Sequence, residues 1–360
     1  MRRLIIFIFS VFAISSSIGA QGLTWSIDFN TIFDNREGDD YLSPDETLFL
    51  TRLSPEVGVS FLNGVHNISG GVSWIQPVGN GWKDYKICPT LYYHYDTPQW
   101  KMSFGMFPRT QLIEPLPTFL LSDSMAYHQP NIRGVLVQYM RPRGYAELSL
   151  DWRSLQSETQ REAFNVNFNG RWNPKGVFIL GGHLQLNHLA KQKNAPDGQG
   201  VNDDIMVNPY IGLDLSHKTA LDSFVVKAGS VVALERSRAS GQGWDIRAGA
   251  LIDILAQWKW LGLKETFYAG ANLYPLYNEF GNLLNMGDPY FQAPVYSCTD
   301  LNAFIIRNQF VNLEASLIFQ VSKPAFGFWQ QLKLRVYLDN KLWSKRNDKT
   351  KTGEYLRNIY

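Results

Sequence analysis

Residues 163–173 separate two kinds of chemistry by parity. Phe164, Val166, Phe168, Gly170 and Trp172 share one parity; Asn165, Asn167, Asn169, Arg171 and Asn173 share the other. Side chains alternate across a β-strand, so such a segment carries one apolar and one polar face. Continued along the chain, the polar parity collects Lys101, Arg153, Arg171, Lys227, Arg247, Lys333 and Arg335. It also collects Asp28, Glu147, Asp151, Asp214, Asp245, Asp253, Glu314 and Asp339. Burying these ions dry costs several kcal/mol each. A fold stable by roughly 5–15 kcal/mol cannot carry that. The charges must meet water, where a wall of both signs can orient or select solutes.

Bond-breaking chemistry has weaker candidates. His66, His94, His128, His183, His188 and His217 are scattered, and none pairs at metal-ligand spacing. His183 and His188 fall on opposite faces of one strand. A lipid-face hydrolase would need a histidine and a serine near the outer rim. His188 has the apolar-face parity and ends its strand, but no serine stands beside it, and there is no Gly-x-Ser-x-Gly. The expectation is a chain that is not an enzyme, with no catalytic residue, cofactor or metal site.

Residues 1–20 read as a secretory signal peptide. Arg2 and Arg3 precede an apolar run from Leu4 to Ile14, then Ser15–Ser17 and a small residue at Ala20. That run is shorter than the ~20 apolar residues of a helical span. The whole chain has 34 Lys+Arg and 32 Asp+Glu. Residues 1–20 remove only Arg2 and Arg3, so the remainder is neutral, which argues against a nucleic-acid partner. Cys88 and Cys298 are the only cysteines, and their spacing leaves pairing open.

The elements that must position these residues are strands. Tight connections with Gly, Pro or Asn chemistry fall at 62–67, 96–98, 141–144, 173–176, 217–220, 261–263 and 323–327. Between them lie longer ones at 34–44, 77–83, 108–130, 154–161, 189–205, 236–242, 275–299 and 341–352. Short turns on one side and long loops on the other predict an all-β, closed antiparallel transmembrane β-barrel over 21–360, of about 16 strands (about 14–18). The first strand is expected at 22–33 and the last at 353–360. Residues 300–322 exceed one spanning strand of about ten residues and read as a strand extended above the membrane.

Three local features add to this pattern. The chain ends Arg357-Asn358-Ile359-Tyr360, aromatics such as Trp74, Trp82, Tyr92, Tyr93, Tyr95, Trp258 and Trp260 cluster near strand ends, and the third outer loop is long. On these features the chain resembles the bacterial outer-membrane porin-like β-barrels. Phe104-Gly105-Met106-Phe107-Pro108-Arg109 has a faint similarity to phosphate-selective porins, on which no anion site is carried over. The resemblance implies a cell outer-membrane channel for passive diffusion of small hydrophilic solutes, with outer-membrane lipid around it and a homotrimer compatible with the architecture. Its expected pore-lining residues are Lys101, Arg109, Glu114, Glu147, Asp151, Arg153, Asn165, Asn167, Asn169, Arg171, Lys227, Asp245, Arg247, Glu314, Lys333 and Arg335. Loop 108–130, apolar at Leu112, Ile113, Leu116 and Phe119–Leu121, is expected to fold inward and constrict the lumen. The alternatives are a surface binding or assembly component, suggested by aromatics in 288–296, and, less favoured, a barrel lipase.

Overall fold

The computed structural model describes residues 20–38, 42, 45–323 and 325–344. The expected signal peptide, the expected strand at 353–360 and Tyr360 lie outside them, Ala20 apart. The strands are β1 (Ala20–Glu37), β2 (Glu46–Phe61), β3 (His66–Pro77), β4 (Lys86–Asp96), β5 (Trp100–Pro108), β6 (Asn131–Arg141), β7 (Gly144–Ser154) and β8 (Ala163–Trp172). They continue as β9 (Phe178–Leu189), β10 (Asn202–Asp214), β11 (Ser223–Ser237), β12 (Asp245–Trp258), β13 (Leu261–Gly270), β14 (Val295–Arg307), β15 (Val311–Ser322) and β16 (Phe326–Asp339). Each pairs antiparallel with its sequence neighbours, and β1 pairs with β16 from Ser26–Asp339 to Glu37–Phe328, closing the barrel. Closure satisfies every ladder without an edge, which a lipid-embedded sheet requires.

The strand number agrees with expectation, but the reading of residues 300–322 is corrected. Residues 295–322 are not one extended strand. They form β14 and β15, joined by a turn at 308–310 in which Asn308 Oδ1 accepts from the amides of Phe310 and Val311 at 2.9 Å. The connection 323–325 therefore lies at the long-loop end, although it is short. Among the described residues the last strand, which closes the barrel on β1, is Phe326–Asp339, and a helical turn, Asn340–Ser344, follows it.

The outward parity is apolar, as lipid demands. Phe168 and Trp172 of β8 are 48% and 55% exposed, and the outward Leu148, Leu184, Leu301 and Leu317 are similarly open. Inside, two long connections enter the lumen. Segment 109–130, with helix α1 (Asp123–His128), buries Leu112, Leu116, Phe119, Leu120, Leu121 and Met125. Segment 271–294 buries Leu273, Tyr274, Leu284, Met286, Tyr290 and Phe291. The two lie against each other: Ser122 N donates to Met286 O and Asp288 N to Thr118 O, both at 2.8 Å. Tyr274 Oη donates to Phe119 O at 2.5 Å. The domain's apolar core is thus built within the barrel from its own loops.

Candidate active site

All sixteen expected pore-lining residues sit on the inward parity or on segment 109–130, and the structure brings many together. Arg109 reaches Asp151 at 2.8 Å. Glu114 meets Arg171 at 2.5 Å and Lys227 at 3.8 Å. Glu147 accepts from Ile113 N at 2.8 Å, Gln138 Nε2 at 2.7 Å and Asn169 Nδ2 at 3.2 Å. Asn167 Nδ2 donates to Asn165 Oδ1 at 3.0 Å. Arg153 donates to the carbonyls of Asn282 and Leu283. Lys333 lies 4.0 Å from Asp123, and Arg335 clamps Asp28 at 3.0 Å. Arg247 pairs with Asp245 and Lys101 with Asp96, away from this centre.

The expectation that these side chains face open water is corrected for several of them. Asn165, Asn167, Asn169, Glu147, Asp151 and Glu314 are buried beneath the folded-in segments. Glu147 and Asp151 hold segment 109–130 to the wall through Ile113 N and Arg109, while Asn165, Asn167, Asn169 and Glu314 bond to wall side chains, as buried polar groups must be hydrogen-bonded. Cys88 and Cys298 are both free thiols. In segment 271–294, burial pushes the Asp288 carboxyl up to about 6, while the Tyr290 amide it accepts works the other way.

A second arrangement lies outside the barrel, at the long-loop end. His188 ends β9 on the outward parity, and its register partner on β10 is Asp203. His188 Nδ1 stands 2.8 Å from Asp203 Oδ1. A carboxylate only accepts, so Nδ1 carries the hydrogen, and the neutral ring keeps its lone pair on Nε2. Asp203 is 6% exposed and also accepts from Arg236 Nη2 at 3.0 Å and Arg238 Nε at 2.8 Å. Two guanidiniums against one carboxylate leave the group net positive.

Neighbouring strands continue the row. Phe164 of β8 stacks on His188 with ring centroids 4.9 Å apart, and Trp152 of β7 stacks on Phe164 at 5.1 Å. On the other side Arg236 lies 4.3 Å over Trp244. Loops fix the ends of the row. Arg161 donates to the carbonyls of Leu189, Ala190 and Gly200, and Arg238 N donates to Val201 O at 2.8 Å. A Cβ on Gly200 would come within 2.5 Å of Ala239 Cβ, so only glycine lets this loop lie against the turn that carries Arg238.

Sequence reading placed His188 on the lipid side but missed its partners. Composition puts Asp203 in loop 189–205, and Arg236 and Arg238 in loop 236–242. The signal was present: Asp203, Ile205 and Val207 alternate with Asn202, Asp204, Met206 and Asn208. Extending β10 by parity puts Asp203 on the face of His188.

The sheet is a closed sixteen-stranded antiparallel barrel. Among solved structures it is similar to the outer membrane protein OpdK of Pseudomonas aeruginosa, at TM-score 0.52 and 9% identity, over 89% of this chain and 99% of that one. It is also similar to OccK9 (OpdG) of the same organism, at TM-score 0.54 and 9% identity over 89% and 99%. OpdL matches at TM-score 0.52 and 10% identity over 88% and 99%. At such identities the likeness is one of fold. No curated protein sequence matches.

The chain belongs to the lipid A 3'-O-deacylase-type family, whose model matches residues 15–344. That family is described by an enzymatic activity, and the match overturns the expectation that this chain is not an enzyme.

The buried ion pair gives a test of the interior. Arg109→Met leaves Asp151, 0% exposed, with Arg133 at 3.7 Å as its nearest remaining base. Breaking such a pair costs about 3–5 kcal/mol. Chymotrypsin should then cleave the 109–130 segment, which carries Phe119 and Tyr127, and Arg109→Met/Asp151→Asn should recover part of the protection. Unchanged protection in Arg109→Met contradicts the anchoring role.

Proposed function

We propose that this barrel hydrolyses an ester-linked acyl chain of a lipid A-type glycolipid at its outward rim, with His188 as the general base. The observation that carries this reading is the His188–Asp203 pair on the lipid-facing side of the wall. The family match supports the substrate class. Arg236 and Arg238 supply the fork geometry that suits a phosphate headgroup. Trp152, Phe164 and Trp244 flank the site, as amphipathic rings do at a membrane interface.

In the proposed step His188 Nε2 takes a proton from water as the water oxygen attacks the ester carbonyl. The tetrahedral centre collapses with cleavage of the acyl carbon–oxygen bond. The imidazolium returns the proton to the departing sugar oxygen, giving a free fatty acid and an alcohol. Asp203 holds the tautomer and steadies the imidazolium, as orienting carboxylates do.

The second reading is passive diffusion of small hydrophilic solutes. It draws on the barrel fold and on the partly exposed lumen cluster of Glu114, Arg171 and Lys227. Planar-bilayer recordings test it directly: that reading requires a steady conductance that rises in Glu114→Ala, and silence at every voltage contradicts it.

For the hydrolase reading, purified barrel is incubated with lipid A in mixed micelles and the products are weighed by mass spectrometry. The wild type should release one ester-linked acyl chain. His188→Ala should lower the rate roughly 10²–10⁴-fold, the usual contribution of a general base. Asp203→Asn should also slow it, while Arg238→Met should act mainly on KM. Full activity in His188→Ala, with the variant folded by heat-modifiable gel mobility, contradicts this assignment.

A further inference from the structure

A cavity of about 40 Å³ lies inside the wall where β1, β2 and β16 meet α1. Its lining includes Asn30, Arg52, Tyr127, Lys333 and Arg335. One water needs roughly 10–15 Å³ of such volume, so this space admits a small ion with its immediate partners.

Arg52 is the feature that calls for a ligand. Among the described residues no hydrogen bond or ion pair reaches its guanidinium, and its Nε is buried without a partner. Asp28, the acid beside it, is already engaged: Arg335 donates to both its oxygens at 3.0 Å, and Asn30 Nδ2 to Oδ1 at 2.7 Å. Lys333 has Asp123 no nearer than 4.0 Å. Glu314, the register partner of Lys333, accepts from Ser316 and does not line the cavity. The cavity lining thus holds three bases, Arg52, Lys333 and Arg335, and no carboxylate.

We propose that this cavity binds a small monovalent anion, of chloride or formate size, between Arg52 and Lys333 of the wall and Tyr127 of the folded-in segment. Burial of an unpaired guanidinium is far costlier than burial of a paired one. An anion here supplies the missing partner by charge-assisted hydrogen bonds. It also ties α1 to the barrel wall, because Tyr127 of that helix lines the cavity beside the wall residues. The volume sets the class: halides and the smallest carboxylates fit, sugar acids do not. The site is separate from the outward His188 group and does not depend on the hydrolase reading.

The test is chlorine-35 line broadening on detergent-solubilised full-length protein, in sodium chloride with sodium gluconate holding ionic strength constant. Wild type should broaden the line, and millimolar sodium formate should reverse the excess. Arg52→Met should cut the formate-sensitive excess at least tenfold, with Arg52→Lys keeping part of it. Lys333→Met, from the same cavity, provides a second variant should Arg52→Met lose the heat-modifiable folded band. Broadening that formate does not reverse, or that persists unchanged in a folded Arg52→Met or Lys333→Met variant, overturns the proposal.

Discussion

Pairing of β1 with β16 is the interaction on which the rest depends. From Ser26–Asp339 to Glu37–Phe328 it removes the only edges the sheet would have. Once closed, strict alternation makes every strand a boundary between lipid and interior. The outward row of Phe168, Leu184 and Leu317 and the inward row of Asn167, Gln185 and Ser316 follow from that boundary. So does the opportunity for chemistry on both sides of one wall.

The interior resolves a conflict that closure creates. Sixteen strands enclose more space than wall side chains fill. Polar walls alone would leave it wet. Here two apolar connections enter instead, and the wall's amides and acids become their anchors. Glu147, Asp151 and Gln185 hold segment 109–130 through Ile113, Arg109 and Leu120 respectively. Glu235 holds segment 271–294 through the amide of Leu276 and the side chain of Asn285. Polar inward faces are therefore compatible with a filled lumen as well as with an open one.

Much of this was legible in the order of residues. Alternation in 163–173 assigned inside and outside, and the apolar run Leu112–Leu121 marked a loop that folds inward. The strand number agrees with the sequence reading although 295–322 holds two strands rather than one. The overlooked turn at Asn308 has little of the Gly and Pro chemistry that marks the other turns. The outward site was half legible. Its histidine could be placed by parity, but its acid and two arginines lay where strand and loop compositions merge. Long-loop ends are polar whether or not they continue the ladder, so composition alone could not show that β10 and β11 rise as far as Asp203 and Arg236.

On the hydrolase proposal, the inserted segments serve as a scaffold for the wall that carries His188, Asp203 and Arg236. The measurement that tests this most directly is a cryo-electron microscopy structure of the barrel in lipid nanodiscs containing lipid A. The account predicts headgroup density against Arg236 and Arg238, with an ester carbonyl beside His188. Lipid A density elsewhere on the wall, with none at this row, would contradict it.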